Sequence, residues 1–125
     1  MFLNFCNNIS SPSILVIDDE LQVLNMLERF LTRKGFIVDT ASNGEEGIKK
    51  IDLKNYTLIL TDIKMSGISG RHVLSHIKGR EKNSIPVIGM SGTPWLLEQN
   101  NFDAVIQKPC LMKEALVVIN QLIKI

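Results

Sequence analysis

The chain is poor in the residues that staple or anchor proteins. It has two cysteines, four prolines, one tryptophan and one tyrosine in 125 residues. Cys6 lies near the start and Cys110 near the end, which gives neither a disulfide framework nor a zinc site; a reducing compartment is the simpler expectation. No apolar run approaches the roughly 20 residues that span a bilayer. Met1 to Cys6 is apolar but short and lacks the basic residues of a signal peptide. Asn8-Ile9-Ser10 matches a glycosylation sequon without secretory context. A cytoplasmic protein with no membrane partner is expected. Neither sign of charge dominates: 14 Lys and Arg stand against 13 Asp and Glu, a net of +1. That leaves no footprint for general nucleic-acid binding, so no nucleic-acid partner is expected. Repeats and low-complexity tracts are also absent.

What is there is an ordinary globular mixture, 45% hydrophobic and 22% charged. The length suits one domain that buries about two-thirds of the surface its unfolded chain exposes. Residues 1–12, rich in Asn and Ser and ending at Pro12, read as a disordered lead-in, and 13–125 as the domain. Within it the hydrophobic period alternates. Ser13–Ile17 is a continuous apolar run, as in a strand buried on both faces. Leu21–Lys34 carries Val23, Met26, Leu27 and Phe30 at helical spacing before Gly35. Strands are expected at Phe36–Thr40, Leu58–Thr61, Pro86–Met90 and Asp103–Gln107, and helices at Gly44–Leu53 (with Asn43 as cap), Ser69–Glu81 and Leu111–Ile125. Such alternation predicts an α/β fold, a five-stranded parallel sheet with right-handed crossovers and helices on both faces.

In a sheet of that kind, ligands bind beyond the carboxyl ends of the strands. The residues there are Asp18, Asp19 and Glu20 after the first strand and Asp62 after the third. Ser91-Gly92 follow the fourth and Lys108-Pro109 the fifth. Two carboxylates about 5 Å apart repel by roughly 3 kcal/mol at an effective dielectric of 20. Three need a cation, a proton or a function to hold them together. Oxygen donors suit magnesium, usually bound by one or two carboxylates with phosphate oxygens. Each residue alone has a bland reading as a cap, a turn or a surface lysine; the joint set in chain order does not.

The set resembles the receiver domain of bacterial response regulators, the phosphoacceptor half of two-component signalling. The likeness runs from about Ser13 to Ile125. It rests on Ile14-Leu-Val-Ile-Asp-Asp-Glu20, Leu58-Ile-Leu-Thr-Asp-Ile-Lys-Met65 with Gly70, Val87-Ile-Gly-Met-Ser-Gly92, and Gln107-Lys-Pro109. The resemblance implies the doubly wound, flavodoxin-like strand order 2-1-3-4-5. It implies Asp62 as the phosphoacceptor, attacking phosphohistidine on a histidine kinase or phosphotransfer protein. It implies Mg2+ held by Asp19, Asp62 and the backbone carbonyl of Lys64, with Asp18 acting mainly through water. Lys108 would pair with the carboxylate and then with the phosphoryl group, and Ser91 would swing to the phosphoryl oxygen. Lys108-Pro109 would be a cis bond, as is often so in the family. The protein would then be no enzyme beyond its own phosphotransfer and dephosphorylation, and would signal by protein contact.

Three features depart from the family pattern. Val105 stands where a Tyr or Phe usually follows the hydroxyl movement. Gly92 to Phe102 leaves room only for a shortened fourth helix, with Thr93 as cap, Pro94 at its first position and Trp95, Leu96 and Leu97 as an apolar patch or core cover. Ser66 replaces a common Pro, while Lys64 and Gly92 flank the site. His72 and His76 sit one helical turn apart but lack a third ligand, and read as surface residues. Leu111, Val117, Val118 and Ile125 lie outside the main stripe of the last helix, either as a broad core face or as the contact of a homodimer. The chain ends in that helix, so a stand-alone regulator or a receiver from a longer protein is expected. Two alternatives remain beside this reading: a receiver-like interaction module with phosphate-independent output, and a phosphohydrolase of the dehalogenase type. The hydrolase wants a second Asp two residues after the nucleophile, where this chain has Lys64.

Overall fold

The computed structural model describes residues 11–79, 85–93, 96 and 101–123. Five strands form one parallel sheet: β1 (Ser13–Ile17), β2 (Ile37–Ala41), β3 (Leu58–Asp62), β4 (Val87–Ser91) and β5 (Ala104–Gln107). Four helices are described: α1 (Leu21–Arg33), α2 (Gly44–Leu53), α3 (Gly70–Lys78) and α4 (Met112–Ile123). The spatial order is β2-β1-β3-β4-β5, the expected 2-1-3-4-5. The elements agree with the sequence expectation to within a residue or two at most ends. α3 runs to Lys78 with Gly79 as its C-cap, and residues 80–81 of the expected helix lie outside the described residues. The expected shortened helix falls mostly on residues 94–95 and 97–100, outside the described residues, as do residues 1–10 with Cys6 and the sequon.

Alternation along the strands builds two cores. Ile14, Val16, Leu58 and Leu60 turn to one face, where Leu24, Leu27 and Leu31 of α1 and Ile119 of α4 cover them. Leu15, Ile17 and Ile59 turn to the other, against Ile51 of α2 and Val73, Leu74 and Ile77 of α3. Both faces are covered, which is why the strands read as unbroken apolar runs. The buried leucines of α1 are spaced by three and four residues, one stripe of a 3.6-residue helix. Gly35, at φ +98°, then stops it. α2 starts where the Asn43 side chain accepts from the Glu46 N–H at 2.8 Å and the Glu46 carboxylate accepts from the Ser42 N–H at 2.7 Å.

This fold stacks the site. β1 and β3 are neighbours with Ile17 opposite Thr61, so the residues that follow, Asp18 and Asp62, emerge side by side. The Lys108 N–H donates to the Ser91 carbonyl at 2.9 Å, so β5 continues to track β4 past their paired ends. At Gly70 the first turn of α3 lies against the backbone at the end of β3, and its N–H donates to the Ile63 carbonyl at 3.0 Å. A Cβ there would strike the Asp62 carbonyl oxygen.

Candidate functional site

Asp18, Asp19 and Asp62 meet at the carboxyl edge of the sheet. Each offers a carboxylate oxygen, and these oxygens lie within 4.8 Å of one another. Asp18 is fully buried and Asp62 nearly so, whereas Asp19 is exposed. Backbone contacts fix the set in place. The Asp18 N–H donates to the Ala41 carbonyl at 3.1 Å, and its Oδ1 accepts from the Glu20 N–H at 2.9 Å. Asp19 Oδ2 accepts from the Ser66 N–H at 3.3 Å.

Lys108 reaches over from β5. Its Nζ donates to Asp18 Oδ2 at 2.7 Å and stands 3.6 Å from Asp62 Oδ2 and 3.5 Å from Glu20 Oε1. Burial works against the lysine's charge, but the Asp18 hydrogen bond and the surrounding carboxylates outweigh it and hold its pKa above the ordinary value. One lysine does not balance three aspartates. Burial pushes the Asp62 carboxyl up to about 6; Asp18 and Asp19 add to the rise, while Lys108 and the Lys64 N–H oppose it.

Ser91 ends β4 and is buried. Its Oγ accepts from the Thr93 N–H at 3.0 Å, turned along its own loop. The Lys108–Pro109 bond is cis. Every residue singled out for the site in the sequence thus lies at one edge of the sheet, with Lys64 exposed beside it. Asp62 and Ser91 are the last residues of their strands rather than the first beyond them. Glu20, read only as one of the strand-end acids, proves to be a partner of Lys108. Sequence reading missed the Thr93 N–H that engages Ser91, because a backbone donor leaves no trace in residue type.

The donor set fits a hard divalent cation: carboxylate oxygens only, close together, with surplus negative charge. The histidines do not join it. His76 Nε2 lies 2.8 Å from Asp52 Oδ1, and His72 Nδ1 lies 3.1 Å from Ser69 Oγ. Val105 is half-buried and packs against the core on the α2–α3 side, so no ring occupies that position on β5. Of the expected apolar patch, Leu96 packs against the same core, and Trp95 and Leu97 lie outside the described residues. On the last helix, Val118 packs inward while Leu111 and Val117 are exposed; Ile125 lies outside the described residues.

Known proteins resemble this chain in sequence and fold. A curated relative, the transcriptional regulatory protein ResD of Bacillus subtilis, is 43% identical over 79 residues, covering 63% of this chain and 32% of its own length. The alkaline phosphatase synthesis transcriptional regulatory protein PhoP of the same species is 31% identical over 96 residues, covering 77% of this chain and 38% of its own. The chain therefore spans about a third of the length of the curated relatives it matches. Among solved structures, the response regulator TrrA of Thermotoga maritima, determined in complex with Mg2+-BeF, superposes with a TM-score of 0.82. It is 32% identical and covers 89% of this chain and 98% of its own. A response regulator of Chloroflexus aurantiacus shares the fold at a TM-score of 0.85 and 20% identity, covering 92% of this chain and 99% of its own. The sequence model of the response regulator receiver domain matches residues 14–119, and with the fold and the acidic edge in place the chain belongs to that family, the receiver domains of two-component signalling.

Proposed function

We propose that Asp62 is the phosphoacceptor, taking a phosphoryl group from a phosphohistidine on a histidine kinase or phosphotransfer protein. The observation that carries this is the buried Asp62 carboxylate, 3.6 Å from the Lys108 ammonium and within 4.8 Å of carboxylate oxygens of Asp18 and Asp19. An Asp62 oxygen attacks phosphorus, the phosphorus–nitrogen bond breaks, and the electron pair leaves with the imidazole. Lys108, already aligned by Asp18, then meets a phosphoryl oxygen and offsets the added charge. Ser91 Oγ gives up the Thr93 N–H and donates to a phosphoryl oxygen, so the Thr93 amide must find another acceptor and the loop after β4 must shift. With Val105 on β5, no aromatic ring follows that shift.

Asp19, Asp62 and the Lys64 carbonyl would hold Mg2+, with Asp18 close by through water. Such an ion supplies charge neutralisation to the phosphoryl oxygens in a loose transition state. On this reading the chain catalyses only its own phosphotransfer and dephosphorylation, and signals by contact with a downstream protein. The expectation that nucleic acid is no partner finds no support in the relatives, which are named transcriptional regulators. No helix of the described residues is long and apolar enough to cross a membrane. The homodimer contact expected on the last helix would rest on Leu111 and Val117. Of the alternatives, family membership favours the receiver over the hydrolase.

The test is intact-mass spectrometry after incubation with acetyl phosphate and with a phosphorylated histidine donor, with and without Mg2+. One phosphoryl adduct that needs Mg2+ and is lost in Asp62→Asn supports the assignment. Adduct formation that survives Asp62→Asn overturns it. Output that persists in Asp62→Asn would instead select the phosphate-independent interaction module.

A further inference from the structure

Beside Asp62 a cleft of about 590 Å³ opens between α1 and α4. Its size is within the range of about 300–1,000 Å³ common for small-molecule sites. One end is formed by Asp62, Lys64, Ser91 and Lys108. The rest is apolar: Met26 and Leu27 of α1, Met112 and Ala115 of α4, and Met90 and Ile106 from the sheet. Three of the chain's five methionines face this one space. Methionine is flexible and polarizable, and fits its shape to varied apolar guests.

We propose that this cleft receives the leaving group of a small phosphodonor, and that the donor class it fits is an acyl phosphate with an aromatic or branched apolar acyl group. The proposal rests on Asp62 as phosphoacceptor. Displacement at phosphorus places the nucleophile and the departing group roughly in line. The departing group therefore leaves on the far side of phosphorus from Asp62, and the concave space within its reach is this cleft, with a charged end and apolar walls. An acetyl group leaves the walls uncovered; a benzoyl group buries a ring against them. An acylate is also a competent leaving group without a proton donor. The Asp62 oxygen bonds to phosphorus, the phosphorus–oxygen bond to the acyl group breaks, and the electron pair departs on the carboxylate. Lys64 stands at the charged end to meet that anion, while Lys108 holds Asp18 and the phosphoryl oxygen.

The experiment compares acetyl phosphate with benzoyl phosphate on the 125-residue chain in Mg2+, following the Asp62 adduct by intact mass. Benzoyl phosphate is expected to reach half-maximal loading rate at a concentration about tenfold lower, the gain from burying a ring. Met112→Trp, which fills the cleft, is expected to bring the two donors together. Should that variant fail to fold, the wild-type chain decides the matter: benzoate slows loading by acetyl phosphate and acetate at the same concentration does not. Equal half-maximal concentrations, or no effect of benzoate, overturn the cleft and leave Asp62 standing. Loading by neither of these donors, nor by a phosphohistidine donor, overturns the Asp62 reading and this one with it.

Discussion

Replacing Asp62 by Asn should make the metal-free protein more stable at neutral pH, although it removes the residue assigned the chemistry. In the fold the carboxyl titrates near 6, against an ordinary value of 3.8, chiefly because it is buried. A group whose pKa is raised by folding stabilises the fold below its unfolded pKa, and that stability is lost as pH rises through the folded pKa. Two units at about 1.4 kcal/mol each put the cost of the charged form near 3 kcal/mol at pH 7.5. Asn keeps the shape and drops the charge. The attraction of Lys108, 3.6 Å away, is already contained in that shift, so what lowers the gain is the burial of the Asn amide without full hydrogen bonding. The net expectation is about 1–3 kcal/mol, or roughly 4–10 °C in Tm for a domain of this size. The assay is urea and thermal unfolding of both chains in EDTA at pH 7.5 and pH 5. At pH 5 the folded parent is mostly protonated at Asp62, so the advantage of Asn should shrink by about 1.4 kcal/mol. Added Mg2+ should shrink or invert it, because Asp62→Asn removes a negative ligand. An Asn variant less stable than the parent at pH 7.5 in EDTA would refute the reasoning. So would an advantage that does not fall at pH 5.

Other outcomes follow from the same contacts. Lys108→Met leaves the fully buried Asp18 without its cation and should cost about 2–4 kcal/mol in EDTA, read from the urea midpoint; an unchanged midpoint counts against a structural part for the pair. Gly70→Ala drives a Cβ into the Asp62 carbonyl and to 2.9 Å from the Ile63 Cα, both backbone, and should cost about 2–4 kcal/mol while also disturbing the adduct yield at Asp62. Asn43→Ala removes the cap of α2 and should cost about 1 kcal/mol, with faster amide exchange at Glu46, and should leave phosphoryl loading intact.

Much of this architecture could be read from residue type because the strands are buried on both faces. An apolar run such as Ile14 to Ile17 can lie only inside, and its end marks the edge where Asp18 begins. The cap at Asn43 was equally legible, since its side chain does the work, whereas Ser69, read as the first helical residue, is in fact the cap of α3. What was not legible depends on backbone groups or on distance. Nothing in the letters shows that the Thr93 N–H engages Ser91, or that Glu20 lies 3.5 Å from Lys108. Neither does any spacing reveal that Met26, Met90 and Met112 line one cleft, because they come from α1, β4 and α4 and meet only through the strand order. The end of α3 is a different case. Its C-cap is Gly79, a glycine after the last apolar position like Gly35 after α1, but here the expected helix follows the apolar spacing past it.

The two-sided burial of the sheet also bears on how this chain can change over generations. Leu15 and Ile59 share one core, and Ile14 and Leu58 the other, though each pair is adjacent in both strands. A change of volume at Leu15 can be compensated by its companions on the α2–α3 side, but not by Ile14. Mutational drift should therefore run in two nearly separate compartments, with compensating pairs found within a face and rarely across the sheet. The polar residues at the carboxyl edge, Asp18, Asp62 and Ser91, belong to neither compartment and are held by hydrogen bonds and ion pairs, so no change of volume on either face can compensate for their loss.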